Sequence, residues 1–455
     1  MNTKIRAFLE SVRASFWFKP SFMALLAVAL SFLTVALDRT LTQEWLSQVA
    51  WIYSGGAEGA SAVLQTISSS MITIAGVVFS LTLVALSLAS SQFGSRLLRN
   101  FMRDGTNQLV LGTFIATFLY CLLVLRTIRR GDEGVFVPHL SVTLGLVFAL
   151  ASLWMLIFFI HHVAVSIQAE EVIARVGIDL DHVMDRLYPA SPDAVSTSPS
   201  ALLATAARVT SCDFDTDSVM IAADRDGYVQ LIDVERLVEL AAAENAVFRL
   251  ERRLGHYTVE GSCLVTASPA DSTSPTLAAQ VQQAFVIGNQ RSAAQDIEFA
   301  ILQLVEIAVR ALSPSINDPF TAIACVDRLG SALSRLAQRA IPPAWRLDRC
   351  GAVRVIVEVA DFEGLVDAAF NQLRQYSRSN LDVTLRLLET ITVIAAVVER
   401  REDRAVLRRH ADMIFRGTDT TFAEIEDRRA VAERYHAGIQ ALKERVRSNR
   451  QPKES

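Results

Sequence analysis

The sequence contains few lysines, few cysteines and little net charge. Only four of its 44 basic residues are lysines, at positions 4, 19, 443 and 453. The formal net charge of -4 provides no broad basic surface, which argues against a nucleic-acid-binding protein. The cysteines are odd in number and show no CxxC spacing, so we interpret them as reduced thiols in a cytoplasmic setting: Cys121, Cys212, Cys263, Cys325 and Cys350.

Motifs of the common enzyme classes are absent as well. The sequence has no Walker A loop, no GxSxG, no HExxH and no His/Cys cluster with metal-ligand spacing. Residues 205–275 contain no lysine, which excludes a biotinyl or lipoyl carrier there. We therefore predict that the protein is not an enzyme and holds no cofactor or metal. One alternative stays open, a carboxylate metal site formed by Asp296, Asp318 and Asp327.

One long stretch lacks charge altogether. No charged side chain occurs from Gly59 to Ser95. As a helix this stretch would be roughly 55 Å long, well beyond the ~30 Å hydrocarbon core of a bilayer, so one end is expected to project. Small and hydroxyl residues recur within it at heptad spacing. On a helix they form one narrow strip, the hydroxyl seam, which consists of Thr66, Ser69, Thr73, Gly76, Ser80, Ser87 and Ser90.

Two interpretations of the hydroxyl seam are open. Small residues let helices approach each other closely in lipid, and hydroxyl groups form hydrogen bonds between helices, so the seam is typical of packing within a helix bundle. The seam is also polar and uncharged, as the lining of a pore or cavity can be. The first interpretation predicts a buried seam, and the second predicts contact with water.

Four apolar segments predict an α-helical membrane protein, with helices at about 21–37, 62–93, 107–126 and 139–165. Basic residues precede the first helix and follow the second, so we expect both termini on the cytoplasmic side of a bacterial plasma (inner) membrane. Arg126, Arg129 and Arg130 oppose this orientation, because it places their loop outside. An even number of helices nevertheless leaves the C-terminal two-thirds, with its reduced cysteines, in the cytosol.

The remainder of the chain predicts a cytoplasmic α+β region. Residues 166–200 are expected to form a connecting helix and a Pro/Ser-rich linker, with the fourth membrane helix continuing unbroken as far as Pro189. Short β-like runs predict a small β-rich module over 205–275, and helical periodicity predicts a helical domain over 276–447. Its helices are expected at 293–311, 319–338, 362–377, 381–400 and 420–447.

The most unusual polar residues lie in NQRSAAQDIEF (289–299) and RALSPSINDPFTAIACVDRLG (310–330). Asp318 followed by Pro319 is typical of a helix N-cap with proline in the first turn. Six side chains are predicted to converge beside this turn: Arg291, Asp296, Arg310, Asn317, Asp318 and Asp327. They would either satisfy a buried loop by capping and salt bridging or form a site for a ligand or ion.

These stretches resemble a bacterial family of predicted integral membrane proteins, domain-of-unknown-function family 2254. The resemblance rests on RALSPSINDPFTAIACVDRLG, on DGYVQLID and on QTISSSMITIAGVVFSLTLVALSLASSQFGSRLLRNFMRD, and it extends from about residue 20 to about residue 400. It implies an integral membrane protein with a cytoplasmic C-terminal region, and it implies no particular activity. The family usually has glycine at the position of Ser315, so this turn must form without the positive φ angles that glycine permits.

These observations together predict an oligomeric pore, or a pathway for ions or small solutes, that is regulated by the cytoplasmic domain. The alternative is a membrane-tethered sensor or scaffold protein without a conduction pathway, in which the hydroxyl seam only packs. The expected partners are the lipid bilayer and further copies of the chain, as a homo-oligomer. No nucleic acid is expected, and no small ligand or ion is assigned.

Overall fold

The computed structural model describes residues 17–40, 53–94, 105–129, 136–189, 214, 216–272, 274–292, 295–418 and 421–448. The chain divides after Glu171 into a membrane unit and a C-terminal unit. The basic N-terminal residues before Trp17, the Pro/Ser-rich linker after Pro189 and the basic loop from Arg96 to Arg103 lie outside the described residues.

The described part of the membrane unit contains four long apolar helices. They are α1 (Phe18–Thr40), α2 (Ala57–Phe93), α3 (Gly105–Leu125) and α4 (His139–Ser166). Among the described residues, these four are the helices long and apolar enough to cross a bilayer. They confirm the prediction of an α-helical membrane protein, and α2 begins a few residues earlier than predicted.

Helix α3 lies at the centre of the bundle and contacts α1, α2 and α4. Leu64, Phe114 and Phe159 are fully buried in the core between them. Hydroxyl groups also join the helices, because a polar group inside a bilayer must find its partner within the protein. The side-chain oxygens of Thr117 on α3 and Ser152 on α4 lie 3.1 Å apart.

Helix α5 (Ala169–Leu187) follows α4 after a break at Ile167 and Gln168. The prediction of one unbroken helix as far as Pro189 is therefore wrong. At the break the Ser166 hydroxyl group donates to the Val163 carbonyl group, and the Gln168 N–H donates to the Val165 carbonyl group. The two helices also differ in character, because α4 is apolar on all sides whereas α5 has a single apolar face.

The described residues of the C-terminal unit form two β-sheets. Their strands are β1 (Val219–Ala222), β2 (Gly227–Ile232), β3 (Val247–Leu250), β4 (Tyr257–Thr258), β5 (Cys263–Ser268), β6 (Phe285–Gly288), β7 (Trp345–Leu347) and β8 (Val353–Ile356). One sheet has the order β1-β5-β3-β8-β7 and the other has the order β4-β2-β6. Helices α6 (Val234–Ala243) and α7 (Pro275–Gln283) accompany them.

The sheets extend beyond the β-rich module predicted over 205–275. Strand β6 pairs with β2, and β8 runs parallel to β3, with Val355 opposite Phe248. Both residues are fully buried, so burial of the same apolar core explains why the later strands join this sheet. The region is therefore a mixed α/β region whose sheets are completed from the segment predicted as helical.

The described part of the unit contains six further helices: α8 (Ile297–Ala311), α9 (Pro319–Ala337), α10 (Phe362–Tyr376), α11 (Leu381–Val397), α12 (Arg401–Thr418) and α13 (Ile425–Ser448). Five of them lie where the sequence predicts helices. The sequence pattern did not predict α12, which is rich in charge. One face of α12 is nevertheless buried, and it includes Val406, Leu407, His410, Ala411 and Ile414.

Candidate functional site

The hydroxyl seam faces away from the helix bundle. The buried face of α2 includes Leu64, Ile67, Met71 and Val78. At about 100° per residue the seam lies on the opposite side of the helix. All of its residues are exposed except Ser90, which is half-buried. Packing within the bundle of one chain therefore does not account for the seam.

The threonines of the seam present oxygen lone pairs outward. The Thr66 hydroxyl group donates to the Ala62 carbonyl oxygen at 2.8 Å, and the Thr73 hydroxyl group donates to the Ser69 carbonyl oxygen at 2.9 Å. With their protons used in this way, the two oxygens remain as acceptors. A Cβ atom added at Gly76 would meet no atom within 4 Å. From Thr66 to Ser90 the seam extends roughly 36 Å along the helix, enough to cross the hydrocarbon core.

The six polar residues predicted around the INDP motif do not form a single cluster. Helix α8 has 15 residues and is therefore roughly 22 Å long. Asp296 lies at its start, whereas Asn317 and Asp318 follow its end. Asp327 lies further along α9 and pairs with Arg386 of α11, whose Nε is 2.8 Å from the carboxylate. Arg310 pairs with Glu306 on its own helix at 3.6 Å.

Asp296 joins the start of α8 to Arg291, in the loop after β6, and packs against Gly255, in the loop before β4. Its carboxylate accepts from the N–H of Phe299 at 3.0 Å and from Nη2 of Arg291 at 2.7 Å. Burial raises the pKa of Asp296, and Arg291 opposes this effect. Gly255 has φ +79, and a Cβ atom there would overlap the same carboxylate and the Arg291 guanidinium group. Arg253 is the residue that sequence reasoning missed here, and it contacts Glu298 at 3.2 Å.

The INDP turn, residues Ser313–Phe320, is a compact connection between α8 and α9. Asp318 is the N-cap of α9 and accepts from the N–H and the hydroxyl group of Thr321, at 3.2 and 2.6 Å, which confirms the predicted cap. Asn317 has φ +51, a conformation that asparagine tolerates better than most residues. Ser315 is not among the residues with positive φ, so the turn does not need glycine at that position.

Ion pairs join α5 to α9, and sequence reasoning missed them. Asp181 binds Arg335 and also Arg328, whose Nη2 lies 3.3 Å from the carboxylate. Asp185 binds Arg339, two residues beyond the end of α9. A Cβ atom at Gly177 would overlap the Arg328 guanidinium group, so this glycine provides the space for the arginine. Acidic residues four positions apart on α5 were visible in the sequence, but their partners lie about 150 residues later.

The described part of the chain contains no group of three or more His, Cys, Asp or Glu side chains arranged to hold a metal ion. Asp296, Asp318 and Asp327 are each engaged in separate contacts, with Arg291, Thr321 and Arg386 respectively. The carboxylate metal site left open by the sequence is therefore not assembled from these three residues.

Four membrane helices followed by a mixed α/β unit define an integral membrane protein. The chain belongs to the family described as "Predicted membrane protein (DUF2254)", whose model matches residues 13–393. Two similar proteins are uncharacterised proteins of Mycobacterium bovis and Mycobacterium tuberculosis. Each is 32% identical over 443 residues, which cover 95% of this chain and 81% of the relative. No solved structure matches the chain.

The cap of the INDP turn leads to a stability prediction. We expect Asp318→Ala to lower the free energy of unfolding by about 0.5–2 kcal/mol, because two hydrogen bonds at the start of α9 are lost. Asp318→Asn keeps a side-chain acceptor and is expected to remain close to the wild type. Urea unfolding of the detergent-solubilised protein measures both. A cap role is excluded if the alanine and asparagine variants unfold alike.

His410 makes the stability of the C-terminal unit depend on pH. It is fully buried, and its Nε2 lies 2.7 Å from Asp367 Oδ1. Burial lowers the pKa of His410, Asp367 opposes this, and Arg409 and Arg374 reinforce it. The folded state therefore binds the imidazole proton less tightly than the unfolded chain does. The contribution of neutral His410 to the free energy of unfolding is fully present above the ordinary histidine pKa of about 6.5. It is lost as the pH falls below that value, because the unfolded chain then binds the proton more tightly than the folded state does.

We therefore expect the unfolding temperature of the wild type to fall between about pH 7.5 and pH 5.5. His410→Gln should reduce this fall, whatever its effect on stability at neutral pH. His436→Gln is the matched control, because His436 is exposed on α13. Scanning calorimetry at a series of pH values gives the slopes. Equal slopes for wild type and His410→Gln would assign the acid sensitivity to other groups.

Proposed function

We propose that the protein assembles from several copies in the membrane and that their hydroxyl seams line a pathway for small cations or small polar solutes. The observation that carries this proposal is the exposure of the seam on the side of α2 opposite to the bundle core. In this proposal the C-terminal unit regulates the pathway, and the protein is not an enzyme.

The position of the seam supports a role between copies. Around it, α2 exposes large apolar side chains that suit lipid, such as Ile72, Val77 and Val84. Hydroxyl oxygens gain no hydrogen bonds from hydrocarbon, so the narrow seam is better placed against water or a second copy. Its length matches the bilayer core, as a continuous lining requires.

The chemistry of the seam supports selection by charge. It contains no charged residue, and its threonine oxygens present acceptors. Acceptors can coordinate cations or accept hydrogen bonds from N–H and O–H groups of a solute, whereas they repel anions. We therefore propose small cations and hydrogen-bond-donating solutes as the transported class.

We also propose a bacterial plasma membrane location with both termini in the cytoplasm. The basic residues that precede the first membrane helix and follow the second support this orientation. Alkaline phosphatase fused to the C-terminus should then be inactive, and a fluorescent protein fused there should be bright. The opposite pattern would place the C-terminal unit on the other side of the membrane.

Flux from proteoliposomes tests the pathway. We expect Thr73→Leu combined with Ser80→Leu to reduce wild-type flux of K⁺ or a small polyol at least about tenfold, because two leucines form a hydrophobic constriction. The matched control is Val77→Leu combined with Val84→Leu, which also places two leucines on the exposed face beside the seam but replaces no hydroxyl group. This control should conduct as the wild type does.

Three outcomes would contradict the proposal. One is wild-type protein that conducts neither solute, and another is equal flux in the two double variants. The third is a seam variant that changes only the oligomeric state, which would favour the sensor or scaffold, with the seam as a subunit contact.

A further inference from the structure

Helices α5 and α9 run parallel to each other within the C-terminal unit. Their contacts appear in the same order along both helices: Asp181 binds Arg328 and Arg335, and Asp185 then binds Arg339, two residues beyond the end of α9. Beyond the helices, the Ala340 N–H donates to the Pro189 carbonyl oxygen at 3.3 Å. Partners thus keep a nearly constant separation in sequence, as parallel helices require.

This direction places the INDP turn at the end of the C-terminal unit where its part of α5 begins. From Gly177, which packs on Arg328, α5 extends back to Val172, the first residue of this part, roughly 8 Å along the helix. From Arg328, α9 extends back to Pro319 in the same direction, roughly 14 Å. The turn therefore lies at the same end of the C-terminal unit as Val172.

The turn displays two apolar side chains at that end. Phe320 is 80% exposed and Ile316 is 39% exposed. An exposed phenylalanine held at the start of a capped helix cannot easily turn inward, because Asp318 and Pro319 fix the direction of the first turn. The exposed pair therefore requires an explanation outside the core of the C-terminal unit.

The backbone of the turn suits a medium poor in water. Four N–H groups of the turn donate to carbonyl groups of the turn or of the last residues of α8, at 2.8 to 3.1 Å: those of Ser313, Ile316, Asn317 and Asp318. Pro314 and Pro319 have no N–H group. Most donors of the turn are thus satisfied internally, which lowers the cost of moving it out of water.

We infer that the INDP turn inserts Phe320 and Ile316 into the surface of the bilayer to which the chain is anchored. A lipid surface is within reach, because only residues 167–171 separate membrane helix α4 from the C-terminal unit. Lipid also requires no shaped partner, and two apolar side chains at a convex turn suit it better than they suit a protein groove. Arg310 beside the turn and Asp318 within it have opposite charges, so the contact does not require anionic lipid.

The inference concerns a different surface from the hydroxyl seam and does not depend on conduction. It is tested with the full-length protein in phosphatidylcholine nanodiscs. Cys212, Cys263 and Cys350 are replaced by serine, while the buried Cys121 and Cys325 are retained. Phe320→Cys is then labelled with the environment-sensitive dye NBD. Val393→Cys, at a position on α11 that is 60% exposed, is the matched control.

We expect the label at position 320 to emit at shorter wavelength than the label at position 393. We also expect it to lose about half its emission when the lipid carries a spin label near its head group, whereas the control loses little. Unfolding temperatures equal to that of the parent protein show that both variants fold.

An unquenched label at position 320 overturns the inference. A label that is blue-shifted but unquenched overturns it too, since it indicates a protein contact such as a second copy. Equal quenching at both positions shows no preference for the turn and also overturns it.

Discussion

Replacing Asp38 by alanine is expected to destabilise the membrane unit by about 3 kcal/mol or more. Asp38 lies at the end of α1, and its buried carboxylate accepts from the N–H groups of Leu140 and Ser141, at 2.9 and 3.0 Å. It also accepts from the Ser141 hydroxyl group at 2.6 Å. Pro138, the residue before α4, makes no side-chain cap, so Asp38 caps α4 from a different helix. Alanine would leave these donors without their acceptor in a protein interior.

Two variants separate this role from a general effect of substitution. Thr40→Ala, also at the end of α1, removes a hydroxyl group that bonds only to the Leu37 carbonyl oxygen of the same helix, and it should change little. Asp38→Asn retains one acceptor oxygen and should lie between wild type and alanine. Unfolding in mixed detergent micelles of increasing SDS content gives the free energies. If Asp38→Ala and Thr40→Ala unfold alike, the cap across helices does not stabilise the bundle.

Asp296→Ala is expected to cost the C-terminal unit about 3–5 kcal/mol, because it leaves the largely buried Arg291 guanidinium group without its partner. The substitution also removes the cap of α8 at Phe299. Because burial raises the pKa of Asp296 despite Arg291, the ion pair is itself costly to bury. Removal of one partner should therefore be much more destabilising than replacement of both.

A double-mutant cycle tests this expectation. Asp296→Asn keeps the cap and loses only the charge, so the difference between asparagine and alanine measures the cap. Arg291→Met combined with Asp296→Asn should recover most of the stability that Asp296→Asn loses. Urea unfolding of the full-length protein provides the four free energies of unfolding, those of the wild type, Arg291→Met, Asp296→Asn and the double variant. Additive effects of the two substitutions would show that Arg291 and Asp296 do not interact energetically.

The membrane helices could be predicted from the sequence because length and apolar content alone define them. Helix α12 could not, since REDRAVLRRHADMIFRGT is dominated by charge and its buried face shows only at helical spacing. Strands β7 and β8 were missed for another reason. They are short, and they join a sheet whose other strands lie far earlier in the chain.

The candidate sites show the same division between local and long-range information. The cap at Asp318 was predictable, because a cap and the helix it begins are neighbours in sequence. The partners of Asp38 and Asp327 were not, because Ser141 and Arg386 lie on other helices. Heptad spacing identified the hydroxyl seam, but only the packing of α2 against α3 shows which side of the helix faces outward.

Thiol accessibility of the seam tests the proposed pathway most directly. Thr73→Cys and Ser80→Cys are made in a background with Cys212, Cys263 and Cys350 replaced by serine. The controls are Phe79→Cys and Leu81→Cys, at exposed apolar positions about 100° to either side of Ser80 on α2. A membrane-impermeant methanethiosulfonate reagent is applied to the protein in intact membranes. A water-filled pathway predicts rapid modification of the two seam cysteines and none of the two control cysteines. Seam cysteines as unreactive as those controls would contradict it.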